Sequence, residues 1–225
     1  MGNIIFVIII AFVLVTVGIL FYVLTSPIDN SLDIVITDWA PYGFVYVAQE
    51  KGFFEKNNLN VNISMLDESE SLLLFPHGFT ADGSLEVFAD MINTDANFID
   101  SQFVYAIDES GDADIVISHL DSIAELKGKR IGIWEFGGFS HLFLLSLLEQ
   151  NGINENDVFF VEIIPKEIVS SLNEGLIDAG HTFNEKNIQL AKKYGYKIIA
   201  TERDTPGLII DGVMFKTQVI LERPP

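Results

Sequence analysis

Hydrophobic and polar positions fall into two regimes along this chain. From Ile4 to Leu24 it runs 21 positions without a charge, 17 of them Ile, Val, Leu or Phe. A hydrocarbon core about 30 Å thick takes roughly 20 apolar residues, and each large apolar side chain favours insertion by about 0.3 to 0.6 kcal/mol. The run therefore predicts a membrane-spanning helix over residues 4–24. The competing reading is a cleaved signal peptide, which would carry a basic leader, an apolar core of about 7 to 15 residues and small residues at the cut. No Lys or Arg precedes Lys51 and no Ala-x-Ala site follows the run, which favours an uncleaved signal anchor.

Beyond a polar linker with Pro27 and Asn30 as breakers, the pattern changes to short β-branched runs alternating with amphipathic stretches. That alternation is the signature of an α/β fold with crossover helices. Strands are predicted over residues 33–37, 61–65, 115–118, 130–134, 158–161, 179–182, 197–200 and 209–215. Helices are predicted over 43–57, 68–75, 84–91, 140–151, 166–173 and 184–194, with Gly152 and Gly195 as glycine stops. The segment KGKRIGIW (127–134) reads as the start of a second α/β lobe. The expected organisation is an anchor and linker (1–30), a first lobe (31–117), a second lobe (118–208) and a return crossing toward the first lobe (209–225). The two crossings are expected near 116–121 and 206–215, and two lobes joined by two strands enclose a cleft in which a ligand binds.

Charge narrows the partners. The chain holds 32 Asp and Glu against 13 Lys and Arg, a net charge of −19, which argues against nucleic acid and anionic membrane surfaces. Neither flank of residues 4–24 carries a Lys or Arg, so the positive-inside rule gives no orientation. The acidic body and missing basic flank favour a single-pass protein of the cell membrane with its globular part extracytoplasmic. With no cysteine, disulfides, Cys-ligated metal and a lipid-modified cysteine are excluded, so the helix itself is the expected tether.

Three places suggest chemistry. Asp38, Trp39 and Tyr42 follow the first strand, at the carboxyl edge where open α/β sheets place ligands; a Trp beside a carboxylate there stacks a flat ligand or packs under the loop. The loop from Glu135 to His141 joins a strand to a helix, and Gly138 with Ser140 forms either an anion site of free N–H groups or an ordinary N-cap. Ser84 is an N-cap or a ligand contact. The four histidines show neither an i, i+4 pair nor a neighbouring Cys, so a zinc site is not expected. Adjacent Ser140 and His141 are no catalytic dyad and no GxSxG elbow occurs.

Six segments in order resemble one family: DWAPYGFVYVAQEKGFFEKNNLNV (38–61), DADIVIS (112–118), LKGKRIGI (126–133), GGFSHLFLLSLLEQNGINENDV (137–158), LNEGLIDAGHTFNE (172–185) and DTPGLIIDGVMF (204–215). Together they resemble the SsuA/ThiY-like substrate-binding proteins for alkanesulfonates, taurine, nitrate and thiamine-type pyrimidines. The resemblance implies a type II periplasmic-binding-protein fold, two α/β lobes around a cleft, that presents a small-molecule ligand to the permease and ATPase subunits of an ABC transporter, without a cofactor. It also implies that Asp38, Trp39, Tyr42, Ser84, Gly138, Ser140, His141 and Thr182 line the cleft.

The chain departs from that family twice. Where many members have Thr-Trp-Glu-Pro it has Thr182, Phe183, Asn184 and Glu185, which keeps an aromatic but moves or loses an acidic contact. Members also continue well past the return crossing, so the first lobe is expected to be incomplete here. Apolar sheet surface would then be uncovered, at about 25 cal/mol per Å², unless a partner covers it. Two other functions compete with transport. One is the extracellular ligand-sensing domain of a membrane sensor; the other is an enzyme like the pyrimidine synthases, which rely on a cysteine-rich iron motif that a chain without cysteine cannot supply.

Overall fold

Long β-branched runs became two five-stranded sheets in the computed structural model, which describes residues 12–21, 30–66, 81–97, 100–183 and 185–223. The chain divides into two units, residues 1–31 and residues 32–225. In the first, residues 12–21 are helical with their large apolar side chains exposed, and the Thr16 hydroxyl donates back to the Phe12 carbonyl at 3.0 Å. The remainder of the expected anchor over 4–24 lies outside the described residues, as does the expected helix over 68–75. No helix among the described residues is long and apolar enough to cross a membrane.

The first sheet of the second unit has the order β2-β1-β3-β10-β4, from β1 (Ser31–Thr37), β2 (Asn60–Leu66), β3 (Gly83–Val87), β4 (Ser101–Glu109) and β10 (Ile210–Lys216). The second has the order β7-β6-β8-β5-β9, from β5 (Ile115–Ser118), β6 (Arg130–Ile133), β7 (Phe159–Glu162), β8 (Ala179–Thr182) and β9 (Lys197–Thr201). Strand β10 runs antiparallel to both of its neighbours, and so does β5. The parallel pairs are β1 with β3, β6 with β7 and β6 with β8. Two α/β lobes result, the architecture that the family resemblance implies.

The chain passes between lobes at residues 110–114 and 202–209, so the first crossing comes earlier than the expected 116–121, and residue 117 falls inside β5. The crossings are bound to one another. Ser110 N–H donates to the Ile209 carbonyl at 3.1 Å and Glu202 N–H to the Asp114 carbonyl at 3.0 Å. Buried Glu202 also accepts Gly111 N–H at 3.1 Å and Leu208 N–H at 3.3 Å, one on each crossing.

The second lobe is the better-packed one. Strands β5 and β8 are buried at every position, as expected of central strands covered on both faces. One face packs Val116, Ile131 and Ile133 on Phe143, Leu144, Leu147 and Leu148 of the helix Phe139–Gln150. The other packs Ile115 and Ile117 on Ile168, Val169 and Leu172. Gly132 and Gly180 pair across β6 and β8, where a Cβ at either would stand 2.7 Å from an Ile168 side-chain carbon; glycine lets the helix Ile168–Asn173 lie flush on the sheet.

The expected helix over 43–57 is two helices, Phe44–Glu50 and Phe53–Lys56, separated at Gly52 with φ +66°. The larger correction concerns the expected helix over 84–91. Residues Gly83–Val87 form β3, buried throughout at the centre of the first sheet, and the helix begins only at Phe88. Ser84 is therefore a strand residue, not an N-cap. Gly83 is required there, because a Cβ would stand 2.5 Å from the Met214 carbonyl oxygen of the adjacent β10.

Candidate functional site

A cleft of about 810 Å³, mouth included, lies between the two sheets. The first lobe contributes Asp38, Trp39 and Tyr42 after β1, Ser84 and Glu86 from β3, Asp90 from the following helix and Asp211 from β10; the second contributes Asp114, Trp134, Phe139 and Phe183. Open α/β sheets present exactly one kind of edge to a ligand, the carboxyl ends of their strands, and Asp38 and Trp39 stand at such an edge.

Aromatic rings form one wall. The Phe183 ring packs edge-on to Trp39 at 5.9 Å between centroids and tilted against Trp134 at 5.7 Å. Trp134 in turn meets Phe139 at 5.8 Å. Both indole N–H groups, Trp39 Nε1 and Trp134 Nε1, are buried without a hydrogen-bond partner among the described residues.

Carboxyl groups form the other wall. The Ser84 hydroxyl donates to Glu86 Oε1, while Glu86 Oε2 is buried with no partner. The Tyr42 hydroxyl donates to Asp211 Oδ1. Phe139 N–H, at the start of the second-lobe helix, donates to Asp90 Oδ1 at 2.7 Å. Among the described residues the lining holds Asp38, Glu86, Asp90, Asp114 and Asp211 and neither Lys nor Arg.

Burying these acids without cations disfavours their charged forms. Burial, reinforced by the charge of Glu135 and partly opposed by the Ser84 hydrogen bond, pushes Glu86 up to about 8. Burial chiefly raises Asp211 to about 7, against the Tyr42 hydrogen bond and with Asp108 and Asp114 adding to it. Asp90 is raised as well, by burial first and then by Glu135. Burial thus favours the protonated form of Glu86, and a ligand that brings an N–H donor or a positive charge favours release of that proton.

Asp114 belongs to a buried chain of polar groups. Its Oδ1 lies 2.6 Å from His181 Nε2, His181 Nδ1 lies 2.9 Å from the Ser140 hydroxyl, and that hydroxyl accepts Trp134 N–H at 3.0 Å. The residue types are those of a hydrolase triad. Ser140 is fully buried, however, and its oxygen is already engaged by Trp134, so no substrate carbonyl can reach it. The chain positions Asp114 and Trp134 at the cleft.

Of the residues expected to line the cleft, Asp38, Trp39, Tyr42 and Ser84 do so, whereas Gly138, Ser140, His141 and Thr182 are not on its lining. His141 accepts Gly137 N–H on Nδ1 at 3.1 Å and packs on Phe160. Burial holds its pKa below the usual imidazole range. Thr182 accepts from Asn187 Nδ2 at 3.0 Å beneath the cleft, and its neighbour Phe183 supplies the lining ring. Glu86, Asp90, Asp114, Trp134, Phe139, Phe183 and Asp211 were not among the expected residues. A signal for three of them exists in the sequence: an acid set inside an apolar run, as in SLEVF (84–88), DADIVIS (112–118) and IIDGVMF (209–215). Among the described residues no group of three His, Asp or Glu is placed to hold a metal ion.

Residues 112–206 match the family model described as NMT1/THI5 like. A Haemophilus influenzae protein, named as a candidate thiamine biosynthesis protein, is 25% identical over 185 residues, covering 76% of this chain and 57% of that protein. The chain thus spans little more than half the length of this curated relative. The periplasmic aliphatic sulphonate binding protein SsuA of Escherichia coli superposes with a TM-score of 0.67 at 19% identity, covering 88% of this chain and 68% of that one. The alkanesulfonate-binding protein SsuA of Xanthomonas axonopodis pv. citri, solved bound to MOPS, gives a TM-score of 0.68 at 18% identity, covering 85% and 67%. At such identities the two structures establish a shared fold.

Proposed function

We propose that the chain is a member of the SsuA/ThiY-like substrate-binding proteins, an extracytoplasmic solute-binding protein that delivers a small flat nitrogen heterocycle to the permease and ATPase of an ABC importer. The uncharged run over residues 4–24 is its proposed membrane tether. Of the family's ligand classes, the thiamine-pyrimidine type fits this cleft, and sulfonate and nitrate do not.

One observation carries the choice. Two unpartnered indole N–H donors and the unpartnered Glu86 Oε2 share a cleft walled by aromatic rings and by carboxyl groups without a compensating cation. A heterocycle with a ring nitrogen that accepts and an amino group that donates satisfies both kinds of orphan, and its faces stack on Trp39, Trp134 or Phe183. An oxyanion would meet five acids. The H. influenzae relative named for thiamine biosynthesis supports the same branch.

The test is a panel titration of the full chain in detergent, followed by tryptophan fluorescence and calorimetry. Cytosine and benzamidine, flat and rich in N–H donors, are expected to bind, and benzenesulfonate, taurine and nitrate are not. Binding of the anions with no response to the heterocycles would reverse the assignment.

A further inference from the structure

The helix Phe139–Gln150 begins at the cleft with a glycine N-cap that makes no side-chain cap bond, and a helix start of that kind offers N–H groups to an anion. Yet the place is taken. Asp90, on the helix Phe88–Asn97 of the opposite lobe, accepts Phe139 N–H at 2.7 Å across 49 residues of sequence. A second carboxyl crowds the same turn, since a Cβ at Gly138 would stand 2.6 Å from Glu135 Oε1. Asp90 itself is only 8% exposed, so it is not displaced by swinging into solvent.

Independently of that helix, Glu86 Oε2 is buried, unpartnered and on the cleft lining. Its open valence can hold the acid's proton or, once that proton is released, accept an N–H from a ligand. Both observations point to ligand charge as the selected property. We propose that Asp90 is a specificity-determining residue, a built-in acceptor that occupies the oxyanion position of the Phe139 helix so that the cleft rejects oxyanions and takes ligands that donate N–H groups. The inference rests on the cleft being the ligand site.

An anion at a helix start gains from the unpaired N–H groups and the helix dipole. The Asp90 carboxyl group there removes the donor by accepting Phe139 N–H itself. Taking Asp90 away should return the donor to an incoming ligand, with the second lobe's framework unchanged.

Benzamidine and benzenesulfonate share a ring and differ in the charge of one substituent, so they isolate this effect. The wild-type full chain, Asp90→Ala and Asp90→Asn are titrated with each by calorimetry, with circular dichroism as the check on folding. Wild type should show no binding of millimolar benzenesulfonate. Asp90→Ala should gain at least about tenfold in affinity for it, the scale of one charge-assisted hydrogen bond, while losing affinity for benzamidine. Asp90→Asn, which keeps the shape and can still accept Phe139 N–H, should gain less, and it decides the matter if Asp90→Ala does not fold. Tight benzenesulfonate binding by wild type, or a folded variant with no gain, overturns the role of Asp90. Failure of wild type to bind benzamidine or cytosine would instead overturn the heterocycle reading, and a benzenesulfonate gain in Asp90→Ala would still uphold Asp90 as the acceptor that guards the helix.

Discussion

The two lobes follow one plan, a five-stranded sheet whose fourth strand arrives from a crossing and runs antiparallel, yet their central strands bury different chemistry. In the second lobe β5 and β6 bury Ile115, Val116, Ile117, Ile131 and Ile133. In the first lobe β3 and β10 bury Ser84, Glu86 and Asp211 among their apolar neighbours. Burying an acid without a cation is unfavourable, and a sheet designed only to hold together would not place two at its centre. The second lobe is built for stability and supplies rings to the cleft, and the first gives up stability to hold acids at the cleft wall.

Substitutions can break that contrast. The largest effect is expected at Phe143, fully buried under the second sheet: Phe143→Ala should lower unfolding free energy by about 3 to 5 kcal/mol in urea titrations. Glu86→Gln should do the opposite in kind. It removes a buried acid and keeps its shape, so stability should hold or rise. Affinity for cytosine should fall by about 1 to 3 kcal/mol, because the group facing the ligand can no longer become an anion and half of its open valence is changed to a donor. A Glu86→Gln protein that is less stable but binds unchanged would make Glu86 a structural residue.

The pH dependence sharpens the same contrast, and its sign is fixed. Glu86 is raised from its ordinary 4.5 to about 8, and Asp211 from 3.8 to about 7. The folded state therefore holds protons that the unfolded state has released across these windows, and stability falls as pH rises through about 7 and then about 8. The contribution is fully present below the ordinary carboxyl values. Benzamidine affinity should move the other way and tighten over that interval, since the cation prefers the ionised acids. Thermal melts and calorimetry across the range check both slopes, and parallel slopes would contradict the cleft assignment. The smallest effect is expected at the first lobe's edge. Val104 on β4 is 49% exposed, and Val104→Thr should change stability by no more than about 0.5 kcal/mol.

The same difference between lobes explains what could be read from the sequence. β5 and β8 were predicted to the residue, and β6 within one, because unbroken β-branched or small runs bounded by turns have one reading. The glycine stops at Gly152 and Gly195 were legible too, and both have positive φ. β3 was not legible, because Glu86 interrupts SLEVFADMI and gives it a helical rhythm; only tertiary burial makes residues 83–87 a strand. β4, with Val104 and Tyr105 turned outward, lacks the alternation that marks a half-buried strand. At the site, the carboxyl edge of β1 announced Asp38, Trp39 and Tyr42. The Phe139 helix start was recognisable as an anion position, but its occupant was not, since Asp90 arrives from 49 residues away across the cleft. Ser140 reads from the sequence as an anion contact or an N-cap, and its burial against His181 is not legible because that partner is likewise distant in sequence.

The central claim is that this cleft selects its ligand by donated protons rather than by negative charge. Titrating the wild-type full chain at neutral pH with benzamidine and with benzenesulfonate, each in two buffers of different ionisation enthalpy, tests it most directly. Benzamidine is expected to bind with net release of protons from the acids at the cleft wall, and benzenesulfonate to give no heat of binding. Benzenesulfonate binding, above all with proton uptake, would contradict it.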